Sequence, residues 1–202
     1  MSHDVCAKLM GLQNKCSQRS FHDLSAIKDD NGNVLGYLVD SKKDAYDFDE
    51  YAKDFSKEHN LGTADKTKTL CSADAIYLKP MKDKVLFIEF KDDNVGSVQG
   101  MSQFKFNERK DTRTRRNYEV IIYRKFTETF LMLITDGLLK FDDGRTSISC
   151  LLVLSKKNGL SKMADLTRGP FQILTPLKGA LFESLFVISG NTFDYLCRKG
   201  DI

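Results

Sequence analysis

Three apolar runs, at residues 71–78, 85–91 and 147–155, alternate with stretches of helical spacing across the 202 residues. Together they predict an α/β protein of the mixed, α+β kind, with a central mixed β-sheet flanked by helices. Residues from about Asp4 to Gln18 place Val5, Leu9, Leu12 and Cys16 at helical intervals, with Gly11 inside the pattern. Phe21–Lys28 and Val34–Ser41 flank Asp29-Asp30-Asn31-Gly32-Asn33, a hairpin signal. A second helix is expected from about Lys43 to His59 on the spacing of Phe48, Tyr51, Ala52 and Phe55. The pair of runs at 71–78 and 85–91 is broken by Lys79-Pro80-Met81-Lys82-Asp83-Lys84, which has the composition of a turn.

Beyond that pair, Asp92-Asp93-Asn94 leads into a helix expected from Val95 to about Lys110. Apolar residues at 122, 126, 130, 133 and 134 suit a long buried helix closed by Asp136-Gly137, with a β reading of Glu119–Tyr123 as its alternative. Ser147–Ser155 reads as a core strand, followed by a short helix near Leu160–Leu166 and a Gly169-Pro170 break. Leu181–Ser189 reads as a last strand, and Thr192–Arg198 as a closing helical turn.

The chemistry-bearing residues lie on the middle pair of runs. With the turn proper at Pro80 to Asp83, Lys79 pairs with Lys84, Leu78 with Val85 and Ile76 with Phe87, so Asp74 falls opposite Glu89. Side chains alternate, so Asp74, Ile76 and Leu78 share a face with Val85, Phe87, Glu89 and Lys91. Two opposed carboxylates repel by up to about 1 kcal/mol when solvated, and by more when desolvated. A hard divalent cation between them reverses that penalty, and Mg²⁺ favours one or two carboxylates with waters and phosphate oxygens. Lys91, on the same side, would hold a nucleophilic water or a phosphate oxygen. A register slip of one residue would dissolve the arrangement. The bland alternative is a solvated ion pair at a fraying strand end.

An Asp near the start of one strand and a Glu-x-Lys ending the next resembles the core of the PD-(D/E)xK nuclease superfamily. The similarity covers about residues 44–155 and implies a restriction-endonuclease-like core; with the N-terminal helix and hairpin (1–42), the length suits a single domain over 1–202. It implies that Asp74, Glu89 and the Phe90 backbone carbonyl bind Mg²⁺ or Mn²⁺, and that Lys91 assists the attacking water. Ala73 stands where many members have Pro. Members often draw a further metal-shell acid from the preceding helix. Glu58, near the edge of the buried stripe, is the better-placed candidate, against a solvated glutamate at a helix end. Some relatives carry a Gln on the helix after the Glu-x-Lys. Gln103 is the auxiliary candidate ahead of Gln99, though neither is followed by Tyr four residues on.

The segment Lys105 to Lys125 is the most basic of the chain, with Arg109, Lys110, Arg113, Arg115, Arg116, Arg124 and Lys125 interleaved with Tyr118 and Tyr123. Such a surface tracks a phosphate backbone, and arginine forks suit phosphate. Arg113, Arg115 and Arg116 are the nucleic-acid-binding candidates, against a solvated face with local ion pairs. The net charge of +3 diagnoses nothing by itself.

Five scattered cysteines without a CxxC pair argue against a local zinc knuckle or a disulfide framework and for a reducing, intracellular setting, cytoplasmic or nuclear. No apolar run is long enough to span a bilayer. P-loop, GxGxxG, HExxH and GxSxG patterns are absent from the sequence. The expected activity is therefore metal-dependent hydrolysis of phosphodiester bonds. Nucleic acid is the expected partner, DNA ahead of RNA, with a homodimer if both strands of a duplex are cut. The alternatives are a catalytically inactive nucleic-acid-binding or protein-interaction module on the same fold, and a structural subunit of a larger assembly.

Overall fold

Pro80 opens a single 3-10 turn, Pro80–Lys82, that joins strand β5 (Ala75–Lys79) to strand β6 (Lys84–Lys91). Asp83 closes the turn in the left-handed region at φ 46°, a conformation that Asp tolerates better than most residues. Its Oδ1 accepts the Cys6 backbone N–H at 2.9 Å, which pins the N-terminal segment to the hairpin. The ladder runs Lys79↔Lys84, Leu78↔Val85, Ile76↔Phe87 and Ala75↔Ile88, the register expected from turn length alone.

The structure is a computed structural model that describes residues 4–29, 31–59, 61, 70–91, 108–154 and 179–202, with the backbone alone for 108–119 and 144. Around the hairpin lies a six-stranded mixed sheet. β1 (Gln18–Ser20), β4 (Asp44–Asp47), β5 and β6 are successively antiparallel, and β7 (Ile148–Leu154) and β8 (Ser184–Ser189) continue parallel to β6. A parallel neighbour needs a crossover connection. Between β6 and β7 it includes the long helix Glu108–Thr135 and the short helix Phe141–Ser147. β2 (Ala26–Lys28) and β3 (Val34–Tyr37) form a separate two-stranded hairpin.

Helices are numbered in chain order: α1 (Val5–Leu9), α2 (Phe21–Leu24), α3 (Phe48–Glu58), α4 (Glu108–Thr135), α5 (Phe141–Ser147) and α6 (Gly190–Lys199). Every residue of β7 is buried, as a strand covered on both faces requires. On one face Val85, Phe87, Cys150 and Leu152 pack with Phe48, Tyr51 and Phe55 of α3 and Ile122, Phe126 and Phe130 of α4. On the other face Ile88, Phe90, Leu151 and Val153 meet Phe21, Phe193 and Cys197. The five cysteines form no disulfide. Among the described residues no helix is long and apolar enough to cross a membrane.

Several local readings change. The N-terminal periodicity is real, with Val5, Leu9 and Leu12 buried, but only Val5–Leu9 is α-helical and Met10–Asn14 tightens to 3-10. The expected helix end, Gln18, belongs to β1, where Gln18 pairs with Tyr46. Phe21–Leu24 is a helical turn capped by Ser20, whose side chain accepts from the Asp23 N–H. The helix expected from Lys43 starts at Phe48, because Asp47 caps it by accepting from the Glu50 N–H. Residues 44–47 are held extended by pairing with β1 and β5 on either side. Glu119–Tyr123 is helical, within α4. The expected Val95–Lys110 helix lies outside the described residues up to 107, and so do Leu160–Leu166 and Gly169-Pro170.

The end of α4 is fixed by a polar cluster on Asp136. Its carboxylate accepts from Lys15 Nζ and Tyr51 Oη, and from His59 Nε2 at 3.4 Å. Burial opposes its charge, but these three donors outweigh burial and hold the carboxyl below its usual range. A depressed carboxyl stabilises the fold above the unfolded-state pKa and loses that contribution as pH falls through the folded value. Asp136→Asn should therefore lower unfolding free energy near neutral pH by about 2–3 kcal/mol, measured by urea denaturation, with the difference vanishing in acid. Equal denaturation midpoints at neutral pH would refute the role of the cluster.

Candidate active site

Asp74 lies one residue before β5, and its carboxylate does not splay into solvent. Oδ2 accepts the Phe90 backbone N–H at 2.6 Å, so the neighbouring strand sets its orientation. Glu89 follows Phe87 on the face covered by α4, and its side chain is 0% exposed. Lys91 follows on the same face, with Nζ 2.8 Å from Glu89 Oε1 and the side chain 26% exposed. Phe90, between them, turns its ring into the opposite core layer. The geometry thus brings Asp74, Glu89 and Lys91 together at the end of β6.

A fourth group completes the cluster. Lys125 Nζ, arriving from α4, sits 3.1 Å from Asp74 Oδ1, 2.8 Å from Glu89 Oε2 and 2.7 Å from Glu89 Oε1. One nitrogen therefore touches both carboxylates. Without a cation there, acids this close would repel by about 3 kcal/mol at an effective dielectric of 20. The sequence reading put Lys125 on a solvated basic surface, and this is corrected: its side chain is only 17% exposed and faces inward. The helix wheel held the signal, because position 125 falls between the buried residues Ile122 and Thr129 on one stripe.

The electrostatics follow from burial. Desolvation and the Asp74 charge push the Glu89 carboxyl up to about 8, although the Lys125 and Lys91 ammonium groups draw it back. For Lys125, burial disfavours the charge, but the two carboxylates win and raise the pKa above its ordinary value. Burial thus makes the acid pair costly to ionise, while the acids in turn favour the charged form of Lys125.

Asp49, unforeseen from sequence, stands at the second position of α3. Its carboxylate accepts from Ser72 Oγ at 2.5 Å, and burial with the nearby Asp74 charge raises its pKa. The signal for it was the Asp47…Glu50 spacing, which marks the helix start and thus the helix end nearest the sheet. Glu58 is corrected: it is exposed at the opposite end of α3, nine residues from Asp49 and about 13 Å along the helix axis. Gln103 and Gln99 lie outside the described residues. Arg113, Arg115 and Arg116 fall within α4, but their side chains lie outside the described set. Arg124 is engaged with Glu128 at 2.8 Å, an i,i+4 pair.

A cleft of about 570 Å³ reaches Asp74 and Asp49, with Arg19, Lys28 and Lys53 among its walls. It opens between the β2–β3 hairpin and α3, so the N-terminal extension borders the acids. Among the described residues no three carboxyl, imidazole or thiol groups form a metal cage. An Asp–Glu pair still suits Mg²⁺, which keeps several waters and takes one or two protein carboxylates. One observation fits a divalent ion at this pair: a single positive centre already contacts both acids.

Compared with protein-family models, curated proteins and solved structures, the chain matches none.

Proposed function

We propose that the protein is a Mg²⁺- or Mn²⁺-dependent nuclease that hydrolyses phosphodiester bonds through Asp74, Glu89 and Lys91. The observation that supports this most is the meeting of both carboxylates on one cation beside a second, partly exposed ammonium. Asp74, Glu89 and the Phe90 carbonyl would hold the ion, and Asp49, whose charge is felt at Asp74, would add negative potential beside it. When bound, such an ion supplies Lewis-acid polarisation of a phosphoryl oxygen and makes a coordinated water more acidic.

The remaining work falls to the chain itself. The Phe90 N–H fixes Asp74, so its free lone pairs are aimed rather than mobile. Lys91, tethered to Glu89 yet partly exposed, orients the attacking water and stabilises negative charge growing on phosphorus oxygens. Basic residues along α4 supply grip on the phosphate backbone that does not depend on sequence. In this proposal nucleic acid is the substrate, DNA ahead of RNA, and paired cuts in a duplex would need two copies of the chain.

The test is a cleavage assay across labelled single- and double-stranded DNA and RNA, with Mg²⁺, Mn²⁺ and EDTA arms. Cleavage that EDTA abolishes is the expected result. No cleavage in any metal arm, with no calorimetric metal binding, would sink the proposal. One observation favours a second reading, an inactive binding module: Lys125 already neutralises the acids, as a purely structural ion cluster would. That module would retain nucleic acid without cutting it.

A further inference from the structure

The same nitrogen that satisfies the two acids also stands in the way of any metal. We infer that Lys125 is a resident counter-ion that a divalent cation must displace, so that the site exchanges an ammonium for metal and releases Lys125 toward the incoming phosphate. The inference rests on the metal-dependent reading above and adds a residue and an order of events to it. Lys125 Nζ lies within 3.1 Å of oxygens from both Asp74 and Glu89, and a divalent ion bound by those oxygens would need the same space. An ion seated between those oxygens would also lie against the Lys125 ammonium, and like charges that close repel strongly.

The surrounding bonds allow the exchange. The segment leading to Asp74 is tied to α4 independently of Lys125: the Cys71 N–H donates to Glu128 Oε2 at 2.6 Å, and the Ala73 N–H donates to Thr129 Oγ1 at 2.8 Å. Asp74 is held from the other side by the Phe90 N–H. Moving Lys125 therefore leaves the acids in position. Its four-carbon stem is flexible, and the side chain is already partly exposed at the rim. Glu89 keeps Lys91 as a partner throughout.

A closed state lowers apparent metal affinity by the fraction of molecules that are open. Lys125→Met removes the competitor and keeps the apolar stem. Calorimetric titration with Mn²⁺ should then show binding at least about tenfold tighter than wild type. In wild-type protein, amine-directed acylation read by mass spectrometry should be slow at Lys125 in EDTA and faster with saturating Mn²⁺. Exposed Lys57 serves as the internal reference. Equal or weaker Mn²⁺ binding by Lys125→Met, with normal binding by wild type, would overturn the displacement and leave the metal-dependent reading standing. No binding by either protein would overturn both. Should the variant not fold, the wild-type labelling decides alone: Lys125 reactivity unchanged by Mn²⁺ overturns the exchange.

Discussion

Replacing Asp74, Glu89 or Lys91 by alanine is expected, on the proposed reading, to lower metal-dependent cleavage by at least about a thousandfold, because each would remove a group that acts on the metal or the phosphate. The three variants differ in what else they disturb. Lys91 is partly exposed and pairs only at its tip, so Lys91→Ala should fold normally and is the cleanest probe of chemistry. Glu89 is fully buried between two ammonium groups, and its removal leaves Lys125 with one partner fewer. Stripping one member from a buried ion pair costs about 3–5 kcal/mol, so Glu89→Gln is the better comparison there. Asp74→Asn keeps an acceptor for the Phe90 N–H while removing charge. Activity within about threefold of wild type in Lys91→Ala and Asp74→Asn, both folded by circular dichroism, would remove this site from any catalytic account.

Metal affinity should climb steeply with pH. Burial raises the Glu89 carboxyl, so a proton competes with metal for its oxygens, and a metal ligand must lose that proton. Mn²⁺ binding should therefore strengthen by about tenfold per pH unit below about 8 and level off above it, with one proton released. Calorimetry in buffers of different ionisation enthalpy reads that proton directly. The metal-free protein should show the opposite trend. Glu89 binds its proton more tightly folded than unfolded, so its stability contribution is complete below the ordinary value of 4.5 and declines as pH rises toward about 8. Glu89→Gln should flatten both profiles. A wild-type affinity independent of pH between 6 and 8 would show that Glu89 is not a ligand.

The hairpin was the most legible part of this chain, because its information is local. Turn composition, a period of two and a six-residue break set the pairing of Ile76 with Phe87 and of Leu78 with Val85 without reference to anything distant. The largely apolar run at β7, broken only by Ser149, was readable for the same reason, since a strand buried on both faces needs no polar alternation. Short edge elements were not. Nothing intrinsic to Asp44-Ala45-Tyr46-Asp47 makes it extended; β1 and β5 hold it so from either side.

What the chain alone determined was the proximity of Asp74, Glu89 and Lys91, since strand alternation and one turn suffice to put them on a common face. Which further groups joined them was decided in three dimensions. Glu58 was set aside and Asp49 brought near by the starting residue of α3, itself a matter of strand pairing before the helix. Lys125 enters from 36 residues beyond Glu89, carried in by a helix whose apolar stripe packs on the sheet. The physical reason is range. Backbone periodicity acts over a few residues, whereas burying Glu89 beside Asp74 demands a positive partner, wherever in the chain the packing can supply one.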